Sequence, residues 1–367
     1  METIDLMNRL LEKYNLSKIN SNEEWEKIKI SSKNNLRSIK LNNFQELRIT
    51  SGSTGEPLFI FYSQESVKYF LKRVIKSIKK SGVKSNDIVL NLFAYGNFIP
   101  GSMYERGCLS IGIPILPLGA PNTYPKEKVI EVILKVKPTI WFSVPSYALG
   151  LMQALKSIGK EEYLPRKVIV AGEKLLESYI NNFKELNVEV INHFGLTECP
   201  AIGISKKNNP KIIKVISDGL YIESIKNDVG DELVVTDLNN FSTPIIRYNT
   251  ADIIDHISYN KKNKSIIQFE LKNRSDDLIK LQGILTSKNQ IIETISRFTN
   301  EFIINLFIED NRDIVELTLP NSIKNRELEI LCSLEFIRAK KKIIYQDIVD
   351  VPKTSSHKLK NLNDKRK

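Results

Sequence analysis

An α/β fold with a second, smaller domain is what this sequence predicts, and three observations predict it. Apolar runs of strand length and amphipathic stretches of helix length exchange from about residue 64 to residue 198, the pattern of a sheet with mostly parallel strands. Beyond Ile204 the texture changes to strand following strand: GLYIESI, DELVVTDL, TPIIRYNTADII and SIIQFEL. A polar break, Asn273-Arg274-Ser275-Asp276-Asp277, then interrupts two strand-like runs and reads as a linker, giving units of 1–274 and 275–367. At 367 residues with 41% apolar content and both charge signs throughout, the chain can bury large cores in two or three domains.

The elements follow in order. Residues 1 to about 45 are polar with Leu6, Leu10, Leu11 and Tyr14 at helical spacing, followed by Trp25, Ile28 and Ile30; they read as a packing arm without chemistry. Thr50-Ser51-Gly52-Ser53-Thr54-Gly55-Glu56-Pro57 lies between LRI and LFIFY in the manner of a hairpin loop. Its glycines free backbone N–H groups to face an anion and its hydroxyls add donors, so it reads as a phosphate cradle or as a solvated turn. It is not a Walker loop, because no Gly-Lys-Ser/Thr follows and the next segment is strand. Ser66–Lys80 places Val67, Phe70, Leu71, Val74 and Ile75 on one helical face, and DIVLNLF is a buried strand. A glycine-rich segment, AYGNFIPGSMYERG, leads to IGIPILPLG, after which VIEVILKVK, TIWFSVP, ALGLMQALKSIG, KVIVAGEKL, YINNFKELN and VEVINHFGLTE continue the alternation. After the break come LIKLQGI and QIIETISRFT, read as βαβ-like, then FIINLFIE, DIVELTL, RELEILCSLEFI and a lysine-rich tail that reads as solvated.

Ligands of parallel sheets gather at the carboxyl ends of the strands. Gly172 and Glu173 follow one such strand, and His193, Phe194, Gly195, Thr197 and Glu198 follow another. A carboxylate and a hydroxyl there can serve Mg²⁺ and a phosphate oxygen, with the aromatic ring as a stacking wall. His193 reads equally as a satisfied buried histidine. Arg247, Tyr248 and Asp252 stand out in the later strands, and a carboxylate such as Asp252 can accept two ribose hydroxyls.

Composition narrows the class. No apolar run approaches the roughly 18 residues a membrane span requires, and the amphipathic start is no signal peptide, so a cytoplasmic protein without membrane contact is expected. Cys108, Cys199 and Cys332 are far apart and are expected as reduced, mostly buried thiols. The net charge of +11 comes from lysines spread in mixed-sign company, which fits a nucleotide substrate or an acidic partner as well as nucleic acid, and no nucleic-acid partner is expected.

Together the stretches resemble the adenylate-forming (AMP-binding) enzymes and, within them, the phenylacetate-CoA ligase family. TSGSTGEP resembles that family's phosphate loop, HFGLTE its aromatic-Gly-x-Thr/Ser-Glu motif and RYNTAD its Tyr-Arg-Thr-Gly-Asp motif. NRSDDLIKLQG resembles the Gly-Arg-x-Asp-Asp hinge and KTSSHKLKNLNDKR the terminal Gly-Lys segment, so five motifs stand in register over nearly the whole chain. Glu56 stands where the family has lysine, and Asn273, Ala251 and His357 where it has glycine.

The resemblance implies a large multi-sheet adenylation domain and a small mobile α+β domain. It implies that a carboxylic acid, aryl, arylacetic or medium-chain acyl, reacts with ATP to give acyl-AMP and pyrophosphate. The acyl group would then pass to coenzyme A, or alternatively to a carrier protein or an amine; other members of the superfamily adenylate a deazaflavin hydroxyl and stop there, and a degenerate, nucleotide-binding protein is a further alternative. Ser51, Gly52, Ser53, Thr54 and Gly55 would hold the β- and γ-phosphates, Thr197 the α-phosphate and Glu198 the Mg²⁺. Asp252 would take the ribose, Arg274 the ribose and phosphates, and Lys358 would bridge the incoming carboxylate and the α-phosphate. Gly172, Glu173, Phe194 and Gly195 would border the nucleotide and acid pocket with Tyr95 to Gly101. Asp276 would be the hinge and Gly283 would lie along the thiol tunnel; a homodimer is compatible with the resemblance.

Overall fold

The computed structural model describes residues 3–39, 44–50, 58–121, 123–216, 218–282, 284–310, 312–337, 339–352 and 361–366. By compactness the chain forms two units, one of residues 1–175 with 183–272 and one of residues 176–182 with 273–367. The division therefore falls after Lys272, two residues before the boundary read from sequence.

In the first unit β1 (Glu46–Ile49) and β2 (Phe59–Tyr62) form an antiparallel hairpin around the hydroxyl-rich loop, with Ile49 opposite Phe59. Five strands then run parallel: β3 (Val89–Asn91), β4 (Ile115–Pro117), β5 (Ile140–Ser143), β6 (Lys167–Val170) and β7 (Glu189–Phe194). Six more continue the sheet: β8 (Gly203–Lys206), β9 (Asn209–Val215), β10 (Leu220–Asn227), β11 (Gly230–Asp237), β12 (Tyr248–Tyr259) and β13 (Ile266–Arg274). Among the described residues the order is β10-β11-β12-β13-β9-β8-β7-β6-β5-β3-β4. The switch from parallel to antiparallel pairing comes at β7, where His193 lies opposite Ile204. Phe142, Ile169 and Ile191 fill one face, and Trp141, Val168 and Val190 are buried on the other, as strands covered on both sides require.

The helix Gln64–Lys80 shows why the sequence pattern was readable. Ser63 caps it by accepting from the Ser66 N–H, and Val67, Phe70, Val74 and Ile78 turn inward. The helix Ile99–Leu109 packs on it closely, since a Cβ at Gly107 would lie 2.9 Å from Ile78 Cδ1. The polar arm becomes helices Thr3–Lys13, Asn22–Glu26 and Lys33–Arg37, whose Met7, Leu10, Leu11 and Trp25 form a core with Tyr221, Leu238 and Ile246.

In the second unit β14 (Leu278–Leu281) and β15 (Ile284–Ser287) pair antiparallel, so LIKLQGI is a hairpin and not the start of a βαβ unit. The helix Lys288–Ser296 follows. The strands β16 (Ile303–Glu309), β17 (Arg312–Pro320), β18 (Lys340–Gln346) and β19 (Leu362–Asp364) then pair in the order β18-β17-β16-β19. The end of the lysine-rich tail is thus ordered structure, contrary to the reading as solvated chain. Asn361 is buried and donates to the Phe302 carbonyl (2.8 Å), and Arg366 pairs with Asp364 (2.8 Å) and Asp313 (3.1 Å). Cys108 and Cys199 are buried as expected, whereas Cys332 on the short helix Glu327–Ser333 is exposed.

Candidate active site

The turn after β7 is built by short-range constraints. Leu196 N–H bonds to the Cys199 carbonyl (3.0 Å) and Ile202 N–H to the Phe194 carbonyl (2.9 Å). A Cβ at Gly195 would stand 2.6 Å from the Ala201 nitrogen, so a side chain there would displace the backbone. The turn is also held from outside. The Tyr62 hydroxyl donates to the Thr197 carbonyl, and Arg73 Nε donates to the Pro200 carbonyl (3.2 Å). Arg73 is fully buried and pairs with Asp237 at 2.7 and 3.2 Å; burial alone would lower its pKa, but the Asp237 carboxylate holds it raised. Inside this frame Glu198 is 5% exposed, and its Oε1 accepts from the Tyr248 hydroxyl at 3.0 Å.

Tyr248 opens β12, the strand that carries Asp252. Between Asn249 and Ile253 the pairing with β11 slips, because Val234 and Glu232 oppose residues four apart. This bulge is held by Thr250, whose hydroxyl donates to the Leu233 carbonyl (3.1 Å) and accepts from the Asp252 N–H (3.1 Å). Ala251 has φ +63°, the left-handed backbone that glycine adopts freely. An alanine holds that backbone here at a steric cost on the order of 1 kcal/mol. The bulge leaves Asp252 buried at 7% exposure. Just before it, the Arg247 guanidinium donates to the carbonyls of Trp25, Glu26 and Ile28 and pairs with Glu223 (3.2 Å). Ser31 bridges Tyr248 in parallel, so the N-terminal arm braces the strand bearing these residues.

The other strand-end residues are placed as follows. Gly172 has φ +78°, and Glu173 Oε2 accepts from the Ser146 N–H (3.0 Å) in the first turn of the helix Pro145–Ser157, a favourable site for a carboxylate. Phe194 ends β7 and meets Phe269 edge-on at 5.7 Å. Arg274 ends β13 in extended backbone and belongs to the second unit, as do Ser275 and Asp277. Ser51 to Gly55, Gly283 and Lys358 lie outside the described residues.

His193 is a structural histidine. Ser81 gives its one proton to the Ser77 carbonyl (2.8 Å), so it accepts from Nε2–H of His193 at 2.6 Å. Nδ1 then accepts from the Tyr104 hydroxyl at 2.6 Å. Burial pushes the imidazole pKa down to about 3. The unfolded chain, with a pKa of about 6.5, binds the proton first, so stability is full above that value and falls as the pH drops toward 3. Between pH 7 and pH 5 His193 should therefore subtract about 2 kcal/mol of stability. Urea unfolding at both pH values checks this against His193→Gln, which should lose that part of the pH dependence; equal pH dependence in both proteins would refute it.

The donor set suits Mg²⁺. Among the described residues no group of three His, Cys, Asp or Glu side chains could hold a metal. Mg²⁺ is commonly bound by one or two carboxylates together with substrate phosphates and water, which is what a lone Glu198 offers.

Comparison with known proteins identifies the family. The family model described as AMP-binding enzyme matches residues 13–230. The chain belongs to the AMP-binding enzyme family. A phenylacetate-coenzyme A ligase of Pseudomonas putida is 25% identical over 322 residues, covering 80% of this chain and 72% of that protein. A phenylacetate-coenzyme A ligase of Aromatoleum evansii is 26% identical over 264 residues, covering 68% of this chain but 58% of that protein. The chain thus spans less than two thirds of the length of some relatives it matches. The crystal structure of 2-hydroxyisobutyryl-CoA ligase in the postadenylation state, in complex with 2-HIB-AMP, has a TM-score of 0.79 at 14% identity. It covers 98% of this chain and 85% of its own. The protein is accordingly an α/β member of that family, similar in sequence to phenylacetate-coenzyme A ligases, as the motifs implied. Sequence reasoning missed Tyr62, Arg73 and Asp237, which hold the turn; the one legible signal was an arginine interrupting the apolar face of the helix Gln64–Lys80.

Proposed function

We propose that this protein adenylates a carboxylic acid with ATP and passes the acyl group to a thiol, that of coenzyme A. In the first step a carboxylate oxygen bonds to the α-phosphorus and the bond to pyrophosphate breaks. In the second the thiolate attacks the acyl carbon and AMP leaves. The observation that carries the reading is the buried Tyr248–Glu198 hydrogen bond, which joins two of the five motifs across 50 residues of sequence. Two anions meet in the first step, so fixed cations and donors must supply most of the catalysis. We assign the β- and γ-phosphates to the loop Ser51–Gly55, the α-phosphate to Thr197, the ribose to Asp252 and Arg274, and the bridging charge to Lys358. Glu198 would hold Mg²⁺, which when bound neutralises phosphate charge. The division after Lys272 and the polar residues Ser275 to Asp277 suit a hinge between a nucleotide-binding domain and a small domain. Phe93, Tyr95, Phe98 and Phe194 suit an aryl, arylacetic or medium acyl acid.

Acid-dependent exchange of labelled pyrophosphate into ATP tests the reading across aryl, arylacetic and fatty acids. Exchange with one acid class, followed by thioester formation when coenzyme A is added, is the expected result. Adenylation without a coenzyme A thioester would point to a carrier protein or an amine as acceptor. ATP binding with no exchange for any acid would overturn the carboxylate substrate.

A further inference from the structure

We propose that Tyr248 is the positioning residue of the divalent-cation site, an inference that rests on the reading of Glu198 as the cation's carboxylate. Three contacts fix the backbone around Glu198: Tyr62 on the Thr197 carbonyl, Arg73 on the Pro200 carbonyl and the Leu196–Cys199 turn bond. With the peptide held on both sides, the freedom left to Glu198 lies in its side-chain torsions. A glutamate has three of them, and an unrestrained carboxylate would sweep past the cation position. Tyr248 removes that freedom. Its ring is 1% exposed, and its hydroxyl donates to Oε1 at 3.0 Å. A phenol has a single proton and a carboxylate two oxygens, so the bond orients the group while Oε2 keeps its lone pairs for a cation. Donors that orient a metal-ligating carboxylate alter affinity by about 10- to 100-fold when removed.

Tyr248 also belongs to the strand that carries Asp252, four residues on across the Thr250–Asp252 bulge. One strand therefore sets both the carboxylate assigned to the cation and the carboxylate assigned to the ribose. The spacing between a nucleotide's sugar and its metal-bound phosphates would be read by β12, and the arm contacts at Ser31 and Arg247 would act on that spacing from outside the site.

Tyr248→Phe keeps the ring and its packing and removes one hydroxyl. The probe is Mn²⁺ added to the full-length protein with a non-hydrolysable ATP analogue, its binding read by electron paramagnetic resonance. The Mn²⁺ dissociation constant should rise about 10-fold in Tyr248→Phe. The Mg²⁺ concentration for half-maximal pyrophosphate exchange should rise in parallel, while the rate at saturating Mg²⁺ stays within about twofold. A purely structural tyrosine would instead lower the rate and the thermal midpoint together without moving the metal dependence. Unchanged Mn²⁺ affinity in Tyr248→Phe, with weakened affinity in Glu198→Gln, overturns the positioning role and leaves the reading of Glu198 intact. Unchanged affinity in Glu198→Gln overturns that reading itself.

Discussion

Lys358→Ala should slow acid-dependent pyrophosphate exchange by at least about a hundredfold, while the variant still converts a preformed acyl-adenylate to thioester at nearly the parental rate. The asymmetry follows from charge. In adenylation a carboxylate must approach the anionic α-phosphate, and negative charge builds on the phosphoryl oxygens as the bond forms. Two unit charges about 4 Å apart repel by about 4 kcal/mol at the effective dielectric of a protein site near solvent. A lysine ammonium between them, a compact point charge on a long stem, offsets that repulsion. Removing a single preorganised donor aimed at such charge typically costs a factor of about 10² to 10³. Thioester formation brings a thiolate to a carbonyl carbon and releases AMP instead, so it does not need that cation. Rapid-quench measurement of both half-reactions decides the matter: equal losses in the two would remove the bridging role. A larger loss in Lys360→Ala than in Lys358→Ala would show that the terminal motif had been aligned out of register.

What the sequence revealed and what it hid divides along the range of the interactions. The helix Gln64–Lys80 was legible because Val67, Phe70 and Val74 repeat at its own period, a local property. The parallel strands were legible from their uninterrupted apolar runs, and the turn Gly195–Glu198 from a motif six residues long. Arg73 was not legible as a structural residue, because its meaning depends on Asp237, 164 residues away. Tyr62 and Thr197 are 135 residues apart, and nothing in either neighbourhood announces that one donates to the other. His193 lies on the inward face of its strand, yet its role is decided by Ser81 and Tyr104 on other elements. LIKLQGI fitted a βαβ start as well as a hairpin, since apolar spacing names a strand and not its partner. In the tail, lysine density concealed that Asn361 is buried against the Phe302 carbonyl and that Arg366 pairs with the half-buried Asp313. Cys332 sits on a seven-residue helix with little buried surface, where cysteine's usual preference for the interior has nothing to enforce it.

The pair Arg73–Asp237 should be the most costly single contact to break in the first unit. Arg73→Met leaves the Asp237 carboxylate buried without a cation, which should cost about 3–5 kcal/mol in urea unfolding at pH 7. Asp237→Asn should cost a similar amount, because the guanidinium is then the uncompensated group. Removing both charges in Arg73→Met/Asp237→Asn should destabilise less than the two single changes added together, by at least about 2 kcal/mol. The double variant should still fall short of the parent. Arg73 also satisfies the carbonyls of Pro200 (3.2 Å) and Asp218 (3.4 Å), and Asp237 accepts the Asn239 N–H (3.1 Å). Each group left buried without a partner costs about 1–3 kcal/mol. Additive single-variant costs, or losses below about 1 kcal/mol, would show that the pair is not coupled. The same variants separate stability from site geometry. Pro200 lies two residues after Glu198, so losing the Arg73 contact frees the turn even where the charges are balanced. Stability partly restored in the double variant, with Mn²⁺-nucleotide affinity still reduced, is the expected combination; full recovery of both would mean that the Tyr62 and Tyr248 contacts suffice to hold the turn.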